Sequence, residues 1–121
     1  LYLNPLKDWN KIKLNLPEYK DILDKLDDCI SDNLFTTNSK IIEKLTEMLG
    51  YNTEILYDYP TDLKSTERLV DICLHYGATE YLSGISGKKY LDLNLFESNG
   101  IKVKFQETST KIHTLKLLSN E

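Results

Sequence analysis

Residues 65–106 read STERLVDICLHYGATEYLSGISGKKYLDLNLFESNGIKVKFQ, and the order of signals in this stretch decides the fold class. Ser65 or Thr66 can cap a helix whose apolar stripe is Leu69, Val70, Ile72, Cys73 and Tyr76. Gly77 then stops it, as glycine does just past a helix end. Glu80-Tyr81-Leu82 is a brief strand that runs into the turn-forming Ser83-Gly84-Ile85-Ser86-Gly87. Tyr90, Leu91, Leu93, Leu95 and Phe96 suit a further helix, ended by Asn99-Gly100. Ile101, Val103 and Phe105 alternate with Lys102, Lys104 and Gln106, the period of a half-buried strand.

Working outward, Thr53–Tyr57 (TEILY) is short, apolar and β-branched, and is followed by Asp58-Tyr59-Pro60-Thr61-Asp62, a strand and its loop. Three strands separated by two helices imply parallel pairing, because a parallel connection needs a crossover of about a dozen residues. The expected fold class is α/β, with a small three-stranded parallel sheet (βαβαβ) over residues 53–106. Upstream, Pro17 suits a first helical turn, and Tyr19, Ile22, Leu23, Leu26 and Ile30 follow at helical spacing. Asn38 or Ser39 can cap a second helix that buries Ile41, Ile42, Leu45, Met48 and Leu49 and ends at Gly50. The two are expected to form a helical hairpin within residues 1–50. Residues 1–16 read as an irregular lead-in whose tryptophan, Trp9, packs on the body. Ile112, Leu115 and Leu118 predict a short C-terminal helix in the tail 108–121.

The length of 121 residues favours a single domain. With 40% hydrophobic and 28% charged residues, the chain has ordinary globular composition. Its formal net charge of −4, with lysines and acids interleaved, argues against nucleic acid or anionic lipid as a partner. No apolar run approaches the ~18 residues of a membrane span, so no membrane insertion is expected. Cys29 and Cys73 each fall on an apolar helical stripe, as reduced core thiols of a cytoplasmic protein do. With no CxxC and no Cys/His cluster, neither a metal nor another cofactor is expected.

In an open parallel sheet, ligands bind beyond the carboxyl ends of the strands. The loops that qualify are Asp58–Asp62, Ser83–Lys89 and Gln106–Thr108. Gly84 and Gly87 allow a tight turn or a close backbone approach, Ser83 and Ser86 add hydroxyls, and Lys88 and Lys89 add positive charge. A carboxylate or a nucleotide-sugar diphosphate suits that composition. The same residues also make an ordinary turn, since neither GxxxxGK[ST] nor GxGxxG is present. Tyr90 and Asp92 follow, and Asp92 can act on a sugar hydroxyl or cap a helix. Arg68 lies near a helix start, where a cation is mildly unfavourable, so a partner carboxylate or a ligand is expected beside it. His75 suits a helix C-terminus, His113 lies on the tail, and Asp27-Asp28 reads as a solvated face. No GxSxG elbow and no Ser/His/Asp set occurs, so no catalytic residue is assigned.

The stretch 65–106 resembles the C-terminal part of the WbqC-like protein family. The residues that carry the resemblance are Arg68-Leu69, Ile72-Cys73, Gly77-Ala78, Tyr81-Leu82-Ser83-Gly84, Tyr90-Leu91-Asp92, Phe96, Gly100-Ile101 and Gln106. With the helix and strand before it, the likeness covers roughly residues 34–106. The family's opening strand with His-Gln-Pro has no counterpart here, nor does its Pro-x-Tyr near the C-terminus. The resemblance therefore implies the C-terminal part of a longer protein. It implies a cytoplasmic role in bacterial surface-polysaccharide biosynthesis of the O-antigen type, with transfer of an aminoacyl or acyl group to a sugar or nucleotide-sugar substrate. The alternative is a non-catalytic module that completes a fold or docks a partner. The residues expected to bind substrate are Ser83, Gly84, Ser86, Gly87, Lys88, Lys89, Tyr90, Asp92 and Arg68.

Overall fold

A computed structural model describes residues 4–107 and 113–119. Contacts divide the chain into two compact units, the first of residues 4–55 with 113–119 and the second of residues 56–107.

The first unit begins with α1 (Pro5–Asn15), where the expectation was an irregular lead-in. Asn4 caps it, its side chain accepting from the Lys7 N–H at 3.1 Å, and Pro5 occupies the first turn. The expected continuous helix from Pro17 is broken into a 3₁₀ turn (Pro17–Tyr19), the short α2 (Lys20–Asp24) and a second 3₁₀ turn (Asp27–Cys29). A tertiary contact accompanies the break. The Asp27 carboxylate accepts from Trp9 Nε1 at 2.7 Å and from Lys13 Nζ at 2.8 Å, so it is no bystander on a solvated face. α3 (Leu34–Met48) starts before Asn38, because the Asn33 side chain accepts from the Thr36 N–H at 2.9 Å. Trp9, Leu23, Leu26 and Cys29 form the buried core, and Ile41, Leu45 and Met48 of α3 pack on it with Leu115 of the terminal helix (Thr114–Ser119). Ile112, assigned to that helix from the sequence, and Thr108 lie outside the described residues.

The second unit runs α4 (Ser65–His75), β1 (Glu80–Ser83), a 3₁₀ turn (Ile85–Lys89), α5 (Leu93–Ser98) and β2 (Lys102–Phe105), and the terminal helix of the first unit is α6. β1 and β2 are parallel, with Glu80 opposite Lys102 and Ser83 opposite Phe105. The expected three-stranded sheet is corrected to a two-stranded one. Residues 53–57 form no strand, and the reason is local. The Tyr57 carbonyl accepts from the Tyr76 hydroxyl at 2.5 Å, Asp58 pairs with Arg68, and the Tyr59 hydroxyl donates to Asp71 at 2.7 Å. These bonds hold residues 57–59 on α4 rather than on the edge of β1. Gly77 and Gly100 follow α4 and α5 with φ of 69° and 74°, and the next amides, of Ala78 and Ile101, bond back to the carbonyls of Cys73 and Phe96. Glycine adopts that left-handed conformation without steric cost, so both helices end sharply into a strand.

Tyr81, Ser83, Val103 and Phe105 face the helices, whereas Glu80, Leu82, Lys102 and Lys104 face outward. Phe96 is fully enclosed among Val70, Cys73 and Ile101, with the Tyr81 ring stacked at 5.1 Å. Among the described residues, no helix is long and apolar enough to cross a membrane. Cys29 and Cys73 are buried free thiols, and burial pushes the Cys73 thiol up.

Phe96→Ala should destabilise the protein by about 3–5 kcal/mol, the usual cost of deleting an enclosed aromatic ring, measured by chemical denaturation. Part of the acid sensitivity should come from the first unit. Lys20, then Lys13, holds the Asp24 carboxyl below its ordinary value, and Lys13, then Trp9, does so for Asp27. A carboxyl lowered on folding contributes stability above its unfolded value of about 4, and the contribution is lost as pH falls through the lowered folded value. Asp27→Asn should therefore show a smaller loss of stability than the wild type between pH 5 and pH 2, read from denaturation midpoints.

Candidate functional site

The carboxyl ends of β1 and β2 meet the starts of α4 and α5. The ladder continues one bond past the strands, with the Gln106 N–H donating to the Ser83 carbonyl at 2.8 Å, which brings Gln106 to the Ser83-Gly84 exit. Across the rim, the Asp92 N–H donates to the buried Thr66 hydroxyl at 3.1 Å. Thr66 is presented there by Ser65, the first residue of α4, whose φ of 52° lies in the left-handed region that costs a side-chain-bearing residue roughly 1–2 kcal/mol. Neither Ser65 nor Thr66 caps its own helix, since no side chain caps α4.

The substrate-binding residues expected from the sequence divide by what they touch. Ser83 is buried, and its hydroxyl donates to the Gly84 carbonyl at 2.9 Å. Gly87 is required by space, because a Cβ there would fall on Ser83 Oγ and lie 3.0 Å from Leu91 Cδ1. These two residues shape the turn. Asp92 caps α5, its carboxylate accepting from the Leu95 N–H at 3.2 Å. Arg68 pairs with Asp58 and reaches the Tyr59 carbonyl at 3.4 Å, and that guanidinium holds the Asp58 carboxyl below its usual range. Lys88 lies over the Phe105 ring at 5.2 Å, a cation–π contact. Gly84, Ser86, Lys89 and Tyr90 are exposed, Tyr90 at 69%. The turn uses some of its own amides, with the Gly87 N–H bonded to the Gly84 carbonyl and those of Tyr90 and Leu91 to the Gly87 carbonyl. Cations and hydroxyls thus offer more to a ligand here than those backbone groups do.

A cluster not anticipated from the sequence lies on the exposed side of α4. The Tyr59 hydroxyl is pushed up to about 12, chiefly by its bond to Asp71. The Tyr59 ring lies 4.3 Å from the His75 ring, which lies 4.7 Å from that of Tyr76. Arg68, Asp71 and His75 are spaced i, i+3 and i+7, one face of a helix. That spacing was the available signal, and Asp58-Tyr59 supplied its counterpart. The cluster fastens residues 57–59 to α4 and orients Arg68.

Among the described residues, no group of three His, Cys, Asp or Glu side chains could hold a metal ion. Two grooves of the second unit follow the outer sides of the sheet. One, of about 480 Å³, lies between residues 56–58, α4 and β1. The other, of about 460 Å³, lies along α5 and β2. Neither is lined by Ser83–Asp92.

The WbqC-like protein family matches over residues 4–114, and the chain belongs to that family. The match reaches well beyond residues 34–106 and takes in α1 and α2. The chain is similar to the uncharacterized protein Rv1507c of Mycobacterium tuberculosis, with 34% identity over 73 residues. That alignment covers 59% of this chain and 32% of Rv1507c, so the chain spans about a third of that relative's length. No solved structure matches.

Gly87→Ala should cost about 1–3 kcal/mol, the usual range for an overpacked site. Adding Ser83→Ala, which removes the obstructing oxygen, should recover part of it in the melting temperature. A Gly87→Ala protein as stable as the wild type would show that the turn has room.

Proposed function

We propose that this WbqC-like chain acts in bacterial surface-polysaccharide biosynthesis of the O-antigen type, holding an anionic or sugar-bearing substrate at the carboxyl rim of its parallel strand pair. The observation that supports this is Lys88 over Phe105, the last residue of β2, with Lys89 and Tyr90 next in the chain and α4, which carries Arg68 in its first turn, starting beside Asp92. Ligands of open parallel sheets gather at that end. Both recorded bonds of the Arg68 guanidinium leave from Nη2, and a guanidinium carries five donors in a planar fork. The remaining donors suit a carboxylate or phosphate. Lys89 adds a mobile charge, and the exposed Tyr90 ring offers a flat apolar face to a sugar.

In this reading the chemistry is transfer of an aminoacyl or acyl group to the sugar, in the cytoplasm. Asp92 and Ser83 stay in structural roles. Gly87 keeps the turn closed, and Asp58 with the Tyr59 cluster fixes the angle at which Arg68 is presented.

Thermal-shift measurements with a panel of nucleoside diphosphate sugars and aminoacyl donors test the reading. A ligand at about a hundred times its Kd stabilises by roughly 2.7 kcal/mol, so the right one should raise Tm by several degrees. The rise should shrink in Lys88→Ala/Lys89→Ala and in Arg68→Lys, which keeps charge but loses the fork. If no candidate shifts Tm, the substrate reading fails and the non-catalytic module takes its place.

A further inference from the structure

The start of α6 is held by an imidazole, where a hydroxyl, carboxylate or carboxamide is the usual cap. The Leu117 N–H donates to the His113 carbonyl at 3.1 Å, which makes His113 the N-cap residue, and the Lys116 N–H donates to His113 Nδ1 at 3.2 Å. A main-chain N–H can only donate, so Nδ1 presents its lone pair and the neutral ring carries its hydrogen on Nε2. Nε2 lies 3.4 Å from the Tyr19 hydroxyl, and the two rings meet edge to face at 5.6 Å. The helix capped in this way has six residues and little stability of its own. It buries Leu118 and packs Leu115 on the Trp9 core.

We propose that His113 is a pH-sensitive clasp on α6: the neutral ring caps the helix, and a proton on Nδ1 removes the cap and loosens α6 from the Trp9 core. Two effects act in the same direction. The protonated ring has no acceptor left for the Lys116 N–H, and it sets a positive charge at the positive end of the helix. The surroundings do not offset that charge. α6 packs on the first 3₁₀ turn and on α2, whose titratable and charged side chains are Glu18, Tyr19, Lys20, Asp21 and Asp24. Tyr19 meets the ring with a neutral hydroxyl, and Asp24 is taken by Lys13 and Lys20. No ion pair joins the imidazole to a carboxylate of these elements. On α6 itself, Lys116 adds a second cation. The loosened state therefore binds one proton more than the capped state, so the cap's contribution is present at neutral pH and lost as pH falls. Ser, Thr, Asn and Asp would cap the helix without this change, because imidazole is the side chain whose charge ordinarily changes between about pH 5 and pH 8.

The test follows amide hydrogen exchange at Lys116 and Leu117 in the full chain, corrected for the intrinsic pH dependence of exchange. Protection in the wild type should fall by about fivefold between about pH 7.5 and about pH 5.5, the worth of a typical N-cap. His113→Asn keeps a capping oxygen that does not titrate and should hold its protection at both pH values. His113→Ala should be loosened at both. Loosening of His113→Asn on acidification to the same extent as the wild type overturns the proposal, and so does a wild type equally protected at both pH values. Nitrogen-15 spectra of the imidazole need no variant. At neutral pH Nδ1 should be the unprotonated ring nitrogen, and the opposite tautomer overturns the proposal equally. These readouts do not involve Lys88, Lys89 or Arg68, so failure here leaves the carboxyl-rim reading standing.

Discussion

Two strands that run the same way cannot be joined by a tight turn, and this constraint organises the second unit. The chain leaving Ser83 must travel back along the sheet before it can enter Lys102. It does so through a 3₁₀ turn and the short α5, and it drives Phe96 into the space that α4 and the strands enclose. Phe96 is the residue on which that return depends. It stacks on Tyr81 of β1, its carbonyl receives the amide of Ile101 that starts the descent into β2, and its ring meets Val70 and Cys73 of α4. A six-residue helix has little stability of its own, so burial of this ring holds α5 in place.

The same return path creates the rim. Because α5 must begin where β1 ends, its N-terminal cap, Asp92, lies beside the start of α4, and the Thr66 hydroxyl joins the two. The residues between, Ser83 to Tyr90, have no freedom to open into a long loop. Gly87 is packed against Ser83 with no room for a side chain, and Lys88 is drawn over Phe105. What remains outward is Ser86, Lys89 and Tyr90.

The parts of this arrangement that depend on local pattern were legible in the sequence. The alternation of Ile101, Val103 and Phe105 with lysines, the stripe of α4 and the glycine stops each express one element's own periodicity, and each is realised at nearly the expected residues. The parts that depend on distant partners were not. Thr53–Tyr57 has a strand's composition, but a strand also needs an edge to pair with, and Tyr76, Arg68 and Asp71 bind its continuation first. Pro17 to Ile30 has a helix's spacing, yet the break that carries Asp27 to the Trp9 indole and the Lys13 ammonium could not be read without knowing that Asn4-Pro5 opens a helix. That the segment Ser83–Asp92 follows the end of β1 was legible. The buried roles of Ser83 and Gly87 were not, because they follow from a contact four residues apart across a turn.

The loss of the third strand changes what the sheet edge means. A fully paired β1 would be an interior strand, and its outward amides would be structural. With residues 56–58 fastened to α4, β1 keeps one side unpaired, yet walled and apolar rather than bare. Exposed strand edges usually carry charge or bulges that prevent association. β2 follows that rule through Lys102 and Lys104. β1 departs from it, with Leu82 outward and Glu80 already paired to Lys104. The Tyr59–Asp71–His75 cluster is what keeps the departure in place. Were it to release residues 57–59, the segment could collapse onto the edge and close the groove. The bonds that deny the sheet a third strand thus leave the outer side of β1 unpaired beside an apolar groove.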